Sequence, residues 1–239
     1  MEPRRDQHRA HVVGVLGARG GAGATTLAAA LASRLSGSTA TALVDLDAAS
    51  GGLDVLLGLE QVDGARWPDL AEARGDVDGA GVVALLPRWG RCAVLSADRL
   101  RPGAVAADVA RDVLRALAAT LGVVVVDLDR AGAVARAPAV EECDEVLLVV
   151  PRDVRSVAGA TALLPSLERA RVGLVTRGPA PGGLGTADVA AALGVEPVAV
   201  LPVDRGLDAG VERGGLRTSA ATSRAVARIA RDLGSGRAW

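Results

Sequence analysis

The stretch GARGGAGATTLAAALA, Gly17 to Ala32, decides how the rest of the chain is read. It follows the apolar run HVVGVL (His11 to Leu16) and leads into TTLAAALASRL, an alanine-rich helix that Ser36 and Gly37 close. Strand, glycine loop and helix together make a phosphate cradle. Gly20, Gly21 and Gly23 let the backbone turn tightly with its N–H groups outward, and the helix adds the positive end of its dipole. Thr25 stands where a hydroxyl can meet a magnesium ion. The lysine that such a loop uses on the outer phosphates is missing, and Ala24 occupies its place. A glycine-rich turn without any ligand is the plainer reading of the same letters.

Composition narrows the classes. The chain has 239 residues, 50% of them apolar, enough for one sizeable α/β domain. That domain is expected over 11–233, with short tails at 1–10 and 234–239. The net charge of −1 provides no bulk field for nucleic acid or membrane. Every basic residue is Arg, and Lys and Asn are absent, which reads as the coding bias of a GC-rich genome. Phe and Tyr are also absent, so Val, Leu and Ala must fill the core beside Trp67, Trp89 and Trp239. Cys92 and Cys143 are far apart with no C-x-x-C, as expected of two small buried hydrophobes in a reducing compartment. His8 and His11 lie at or before the first strand, which leaves no His for a triad or metal cluster inside the domain. No signal-peptide-like apolar region follows Arg4 and Arg5 before the glycine-rich loop, and no apolar run is long enough to span a bilayer. The expectation is a soluble cytoplasmic protein.

Buried strands alternate with helices along the chain. TALVDLD (Thr41 to Asp47), CAVLS (Cys92 to Ser96), VVVVDLD (Val123 to Asp129), EVLLVV (Glu145 to Val150), VGLVT (Val172 to Thr176) and PVAVLP (Pro197 to Pro202) read as further strands. Pro102 to Leu121 reads as a long helix with Val105, Val109, Val113, Leu114 and Leu117 on one side. Nearly continuous apolar strands between helices predict a parallel sheet covered on both faces. Ligands of such sheets bind at the carboxyl ends of strands. Asp45 and Asp47, two apart, would face one side of an extended strand end and hold a metal-bound or nucleophilic water. Asp127, after four valines, has the form of the acid that reaches Mg²⁺ through water. Loop or capping carboxylates are the alternative for all three.

At these residues the sequence resembles a known family. ARGGAGATT is similar to the deviant phosphate loop of the MinD/ParA ATPases, whose pattern is K-G-G-x-G-K-T. The segments ALVDLDAASGGLDVLLGLE, VVVVDLDRAG, CDEVLLVVPRDVRSVAGATALL and LPVDRGLDAGVERG follow in family order, so the resemblance runs over nearly all of 12–233. RWPDLAEARG, ALLPRWGRCAVLSADR and the arginine-bearing loop look most like the actinobacterial CpaE/TadZ-like branch, also called septum-site-determining or helicase/secretion-neighbourhood proteins. Longer relatives carry a receiver-like domain in front, which this chain is expected to lack. The resemblance implies a three-layer P-loop NTPase fold binding ATP or ADP with Mg²⁺. It implies nucleotide contacts at Arg19, Gly20, Gly21, Ala22, Gly23, Ala24, Thr25, Thr26, Arg177, Pro202 and Asp204. It places the metal at Thr25, Asp45 and, through water, Asp127, and gives Asp47 the catalytic role. Four positions depart from the family. Arg19 replaces the lysine that reaches across a dimer, Ala24 the loop lysine, Arg177 the base-reading Asn and Asp129 a usual Pro.

The function this implies is a homodimeric positioning protein with a degenerate nucleotide site and weak or absent hydrolysis. It would place Flp pilus or tight-adherence secretion machinery, or regulate the septum site. An active ATPase of the same fold is the alternative. A second alternative is ParA-like DNA binding through LRTSAATSRAVARIARDL, where Arg217, Arg224, Arg228 and Arg231 oppose Val226, Ile229 and Leu233. A packed final helix with a solvated arginine face is the plainer reading there. A dinucleotide oxidoreductase fails on its fingerprint, because Thr26 stands where G-x-G-x-x-G needs its third glycine. Only GSGRAW follows Leu233, too short for a membrane-targeting helix. Recruitment to a pole, septum or inner membrane face is therefore expected to come from a partner.

Overall fold

Alternation inside the apolar strands gives the sheet two buried faces. In β1 (His11–Gly17), Val12 and Leu16 join one apolar cluster while Val13 and Val15 join the other. In β5 (Val123–Leu128), Val124 and Val126 face the first cluster and Val125 the second. The structure, a computed structural model, describes residues 9–47, 52–134, 138–212 and 215–234. Most of both expected tails, with Arg4, Arg5, His8 and Trp239, lies outside the described residues, as does 48–51 of the segment after the second strand.

The remaining strands are β2 (Thr41–Asp45), β3 (Arg88–Trp89), β4 (Cys92–Leu95), β6 (Glu145–Pro151), β7 (Arg171–Arg177) and β8 (Pro197–Leu201). Among the described residues they form one eight-stranded sheet in the order β3-β4-β2-β5-β1-β6-β7-β8. Every pairing is parallel except the short β3–β4 hairpin. The helices are α1 (Ala24–Leu35), α2 (Leu53–Leu57), α3 (Gly79–Leu85), α4 (Ala107–Thr120), α5 (Arg130–Val134), α6 (Pro138–Glu141), α7 (Val154–Leu163), α8 (Thr186–Leu193), α9 (Leu207–Val211) and α10 (Ala220–Gly234). Leu27 and Leu31 of α1, Leu53 of α2, and Val226 and Ile229 of α10 cover one face. Val113 and Leu117 of α4, Leu163 of α7 and Val189 of α8 cover the other. Each fully buried Leu or Val there contributes roughly 1.5–3 kcal/mol. This is the three-layer α/β arrangement with a mostly parallel sheet that the strand pattern predicts. Cys92 and Cys143 are free thiols buried in it.

Two boundaries differ from the sequence reading by two residues or more. The helix expected from Pro102 begins at Ala107. Asp98 accepts the N–H of Leu100 at 2.8 Å and pairs with Arg101 at 2.7 Å, holding a turn ahead of Pro102. The strand expected through Asp47 ends at Asp45. Leu46 N–H still reaches Asp127 O, but Asp47 N–H turns back onto Asp45 Oδ1 at 3.0 Å, a side-chain turn that stops the strand.

Candidate functional site

The loop from Ala18 to Gly23 crosses the carboxyl end of β1, where the central strands finish. Ala18 N–H bonds Val149 O of β6, and Ala22 N–H bonds Arg19 O. Gly21 (φ 71°) and Gly23 (φ 93°) occupy the left-handed region, so these two glycines are required by backbone geometry. No side chain caps α1. Among the described residues, the N–H groups of Gly20, Gly21, Gly23, Ala24 and Thr26 donate no hydrogen bond. They form an open set of donors at the positive end of a 12-residue helix. Ala24 presents only a methyl group, directed toward Gly17.

The three sequence-singled acids converge beside it. Parallel register pairs Asp45 of β2 directly with Asp127 of β5, so the two side chains share a face, the one α1 covers. Both residues are 1% exposed. Burial pushes the Asp127 carboxyl up to about 7, against a hydrogen bond from the Thr25 hydroxyl; negative charge on Asp45 and Asp47 adds to the rise. Asp127 Oδ2 is buried with no hydrogen-bond partner. Burial likewise raises Asp45 to about 6, although Leu53 and Asp47 N–H groups hold its two oxygens at 3.1 and 3.0 Å. Asp45 therefore orders the turn after β2. Its main-chain oxygen accepts the indole N–H of buried Trp67, a contact not anticipated from the sequence. Asp47 is half-buried at the rim.

An orphaned, buried carboxylate oxygen beside a threonine hydroxyl and open N–H donors fits a divalent cation carried with a phosphate chain. No group of three or more His, Cys, Asp or Glu able to hold a metal alone occurs among the described residues. A cation here would need phosphate or water oxygens to complete its shell.

Three arginines surround the loop. Arg19 is held within its own chain: Nε donates to Ser156 Oγ at 2.8 Å, Nη1 to Gly20 O at 3.1 Å and Nη2 to Asp153 Oδ2 at 3.2 Å. Asp153 caps α7, accepting Ser156 N–H at 2.9 Å. Arg177, at the end of β7, lies over the other side of the loop and donates Nη1 to Gly21 O and Ala22 O, both at 3.1 Å. A β-carbon at Gly23 would stand 2.9 Å from Arg177 Nη1. Arg177 joins Gly23, Thr26, Leu27, Pro202 and Asp204 around a cavity of about 30 Å³. That volume admits about two waters. Asp204 is spent on Ser219 N–H and the Thr222 hydroxyl, at 2.6 and 3.0 Å. Arg177, Pro202 and Asp204, three of the nucleotide contacts that the resemblance implies, thus line one small cavity together with Gly23 and Thr26. The third arginine, Arg130, is the first residue of α5 and was not singled out from sequence.

No protein-family model matches the chain. Two Mycobacterium tuberculosis proteins, "Uncharacterized protein MT3760" and "Uncharacterized protein Rv3660c", are each 41% identical over 237 residues, covering 95% of this chain and 65% of theirs. The chain therefore spans about two thirds of the length of these curated relatives, 65%. Among solved structures, a ParA family ATPase from Chlorobium tepidum superposes with a TM-score of 0.81 at 17% identity, covering 95% of this chain and 99% of that one. The septum site-determining protein MinD from Pyrococcus horikoshii, solved with Mg-ADP, gives 0.76 at 17% identity, covering 94% and 96%. This is the ParA/MinD P-loop ATPase fold. Within the ParA/MinD fold the loop, Asp45 and Asp127 occupy the carboxyl edge of the central strands, where the sequence reading expected them. No helix among the described residues is long and apolar enough to cross a membrane. Arg224, Arg228 and Arg231 are exposed on α10 while Val226 and Ile229 are buried against the sheet, and Arg217 precedes the helix.

Proposed function

We propose that this chain is a MinD/ParA-like positioning protein that binds ATP or ADP with Mg²⁺ weakly and hydrolyses ATP slowly or not at all. The observation that carries this is Asp127 Oδ2, buried and unpartnered beside Thr25 at a loop whose N–H groups are open. Open N–H groups from Gly20 to Thr26 would hold phosphate oxygens. Thr25 would ligate the cation, and Asp127 would hold one of its waters. A bound magnesium ion would supply charge neutralisation for the phosphates. Asp45 keeps the turn that presents Asp47, and Asp47 would orient an attacking water. Ala24 supplies no charge. One missing charge-assisted contact costs about 1.5–3 kcal/mol, roughly 10- to 150-fold in affinity. The larger loss falls on hydrolysis, where charge on the transferring phosphoryl group needs stabilisation. With Arg177 in the base slot, the phosphates rather than adenine would provide most of the affinity.

The proposal extends to the actinobacterial CpaE/TadZ-like branch that the sequence resembles, and with it to a role in placing Flp pilus or tight-adherence secretion machinery or the septum site. A nucleotide-dependent homodimer and a machinery partner that supplies any polar or membrane placement belong to the same proposal. The test is calorimetric titration with ADP, with and without Mg²⁺. Weak, saturable binding that needs Mg²⁺ and is reduced in Asp127→Asn is expected. Absence of any binding heat, in both conditions, contradicts the nucleotide reading.

A further inference from the structure

The loop has lost its lysine, yet a cation stands over it from another element. Arg130 opens α5, three residues after Asp127. A β-carbon built on Gly20 would find a single neighbour within 4 Å, Arg130 Nη2 at 3.8 Å. The guanidinium therefore hangs beside the outer turn of the cradle. Arg177, by contrast, lies on the side of Gly23 and the base slot.

Only one of the three loop arginines is uncommitted. Arg19 donates to three acceptors and Arg177 to two. Arg130 has no hydrogen bond or ion pair among the described residues. Its neighbour Asp129 forms no ion pair with it among the described residues; that carboxylate accepts the N–H groups of Ala131 and Gly132 at 2.6 and 2.7 Å. Asp129 instead fixes the first turn of α5 and so the direction from which Arg130 departs. The buried, unpartnered Asp127 Oδ2 is the second sign of a ligand at this end of the loop.

We propose that Arg130 is a phosphate-binding residue that contacts the terminal phosphate of a nucleoside triphosphate from α5, offsetting part of the binding charge that Ala24 lacks while the place of the loop lysine itself stays without charge. The assignment rests on the nucleotide reading above. A planar guanidinium suits this position, since it can reach two oxygens of one phosphoryl group where an ammonium acts as a point charge. Its place beside Gly20 aims it at the outer phosphates, away from the base slot. It therefore discriminates by phosphate chain length.

The test is equilibrium titration of the whole chain and of Arg130→Ala and Arg130→Lys with Mg²⁺ and ATP, AMP or inorganic tripolyphosphate. Melting temperatures serve as a check of folding. The parent should bind ATP and tripolyphosphate more tightly than AMP. Arg130→Ala should weaken ATP and tripolyphosphate by roughly tenfold or more, the scale of a charge-assisted contact, and leave AMP unchanged. Arg130→Lys should recover part of the loss. If the parent binds ATP and a well-folded Arg130→Ala binds it within about threefold of the parent, the assignment is wrong while the nucleotide reading stands. If the parent binds none of the three compounds, both readings fall.

Discussion

Asp127 and Asp45 lie side by side in register, and burial lifts their carboxyls to about 7 and about 6 from 3.8. The folded chain therefore holds protons between 3.8 and those values that the unfolded chain has released. Stability from this pair grows as pH falls through the folded values and is lost as pH rises through them. Asp69, which Arg101 holds down at about 2, acts in the opposite sense, but only below its unfolded value of 3.8. Without Mg²⁺ or nucleotide, the melting temperature should rise as pH is lowered from about 8 to about 5. Asp127→Asn should raise it at about pH 8 and flatten the profile, since a neutral amide removes a buried charge. A profile that falls over that range, or an Asn variant less stable at about pH 8, counts against the electrostatic description. At this scale the placement of Thr25 beside Asp127 was legible, the one in the helix after the glycine loop and the other near the end of β5. Arg130 was not legible, because one arginine among many in a lysine-free chain carries no local signal, and only the fold brings it over Gly20.

The elements show why the loop sits where it does. α7 approaches the loop after β1 so closely at Gly159 that an added β-carbon would collide with the main-chain oxygen of Ala18. The same helix presents Asp153 and Ser156, which hold Arg19. Gly159→Ala should therefore push α7 away from the loop, costing about 1–3 kcal/mol as overpacking does and loosening Arg19. Chemical denaturation would measure the loss, and a variant as stable as the parent would show that the approach is not tight. Long apolar strands such as β5 and β6 were readable because burial on both faces leaves no polar alternation. The start of α4 was misplaced because residues 102–106 were read as its first turns, whereas no helix forms there and Ala106 enters α4 in an extended conformation. β3, two residues long, lies below what periodicity resolves.

For the whole molecule, the open edge of the central strands is the surface on which a second copy would seat, with Arg19 at its margin. Arg19 is committed within its own chain here, so crossing to a partner requires it to leave Asp153 and Ser156. Light scattering should show association promoted by Mg·ATP and weakened in Arg19→Ala. A strict monomer in every condition would remove the dimer from the account. Family order along the chain and the parallel sheet made the fold legible as a whole. The small cavity beside Arg177 was not, because it depends on where that side chain rests. The central claim is that the cradle persists while the charge for phosphoryl transfer has been lost at Ala24. One comparison tests it most directly: Mg·ATP binding and hydrolysis by the parent and by Ala24→Lys. The account predicts weak binding and near-background hydrolysis by the parent, and binding about 10- to 100-fold tighter in Ala24→Lys, the worth of one charged contact. Sustained multiple turnover by the parent, or an Ala24→Lys variant that changes neither quantity, would contradict it.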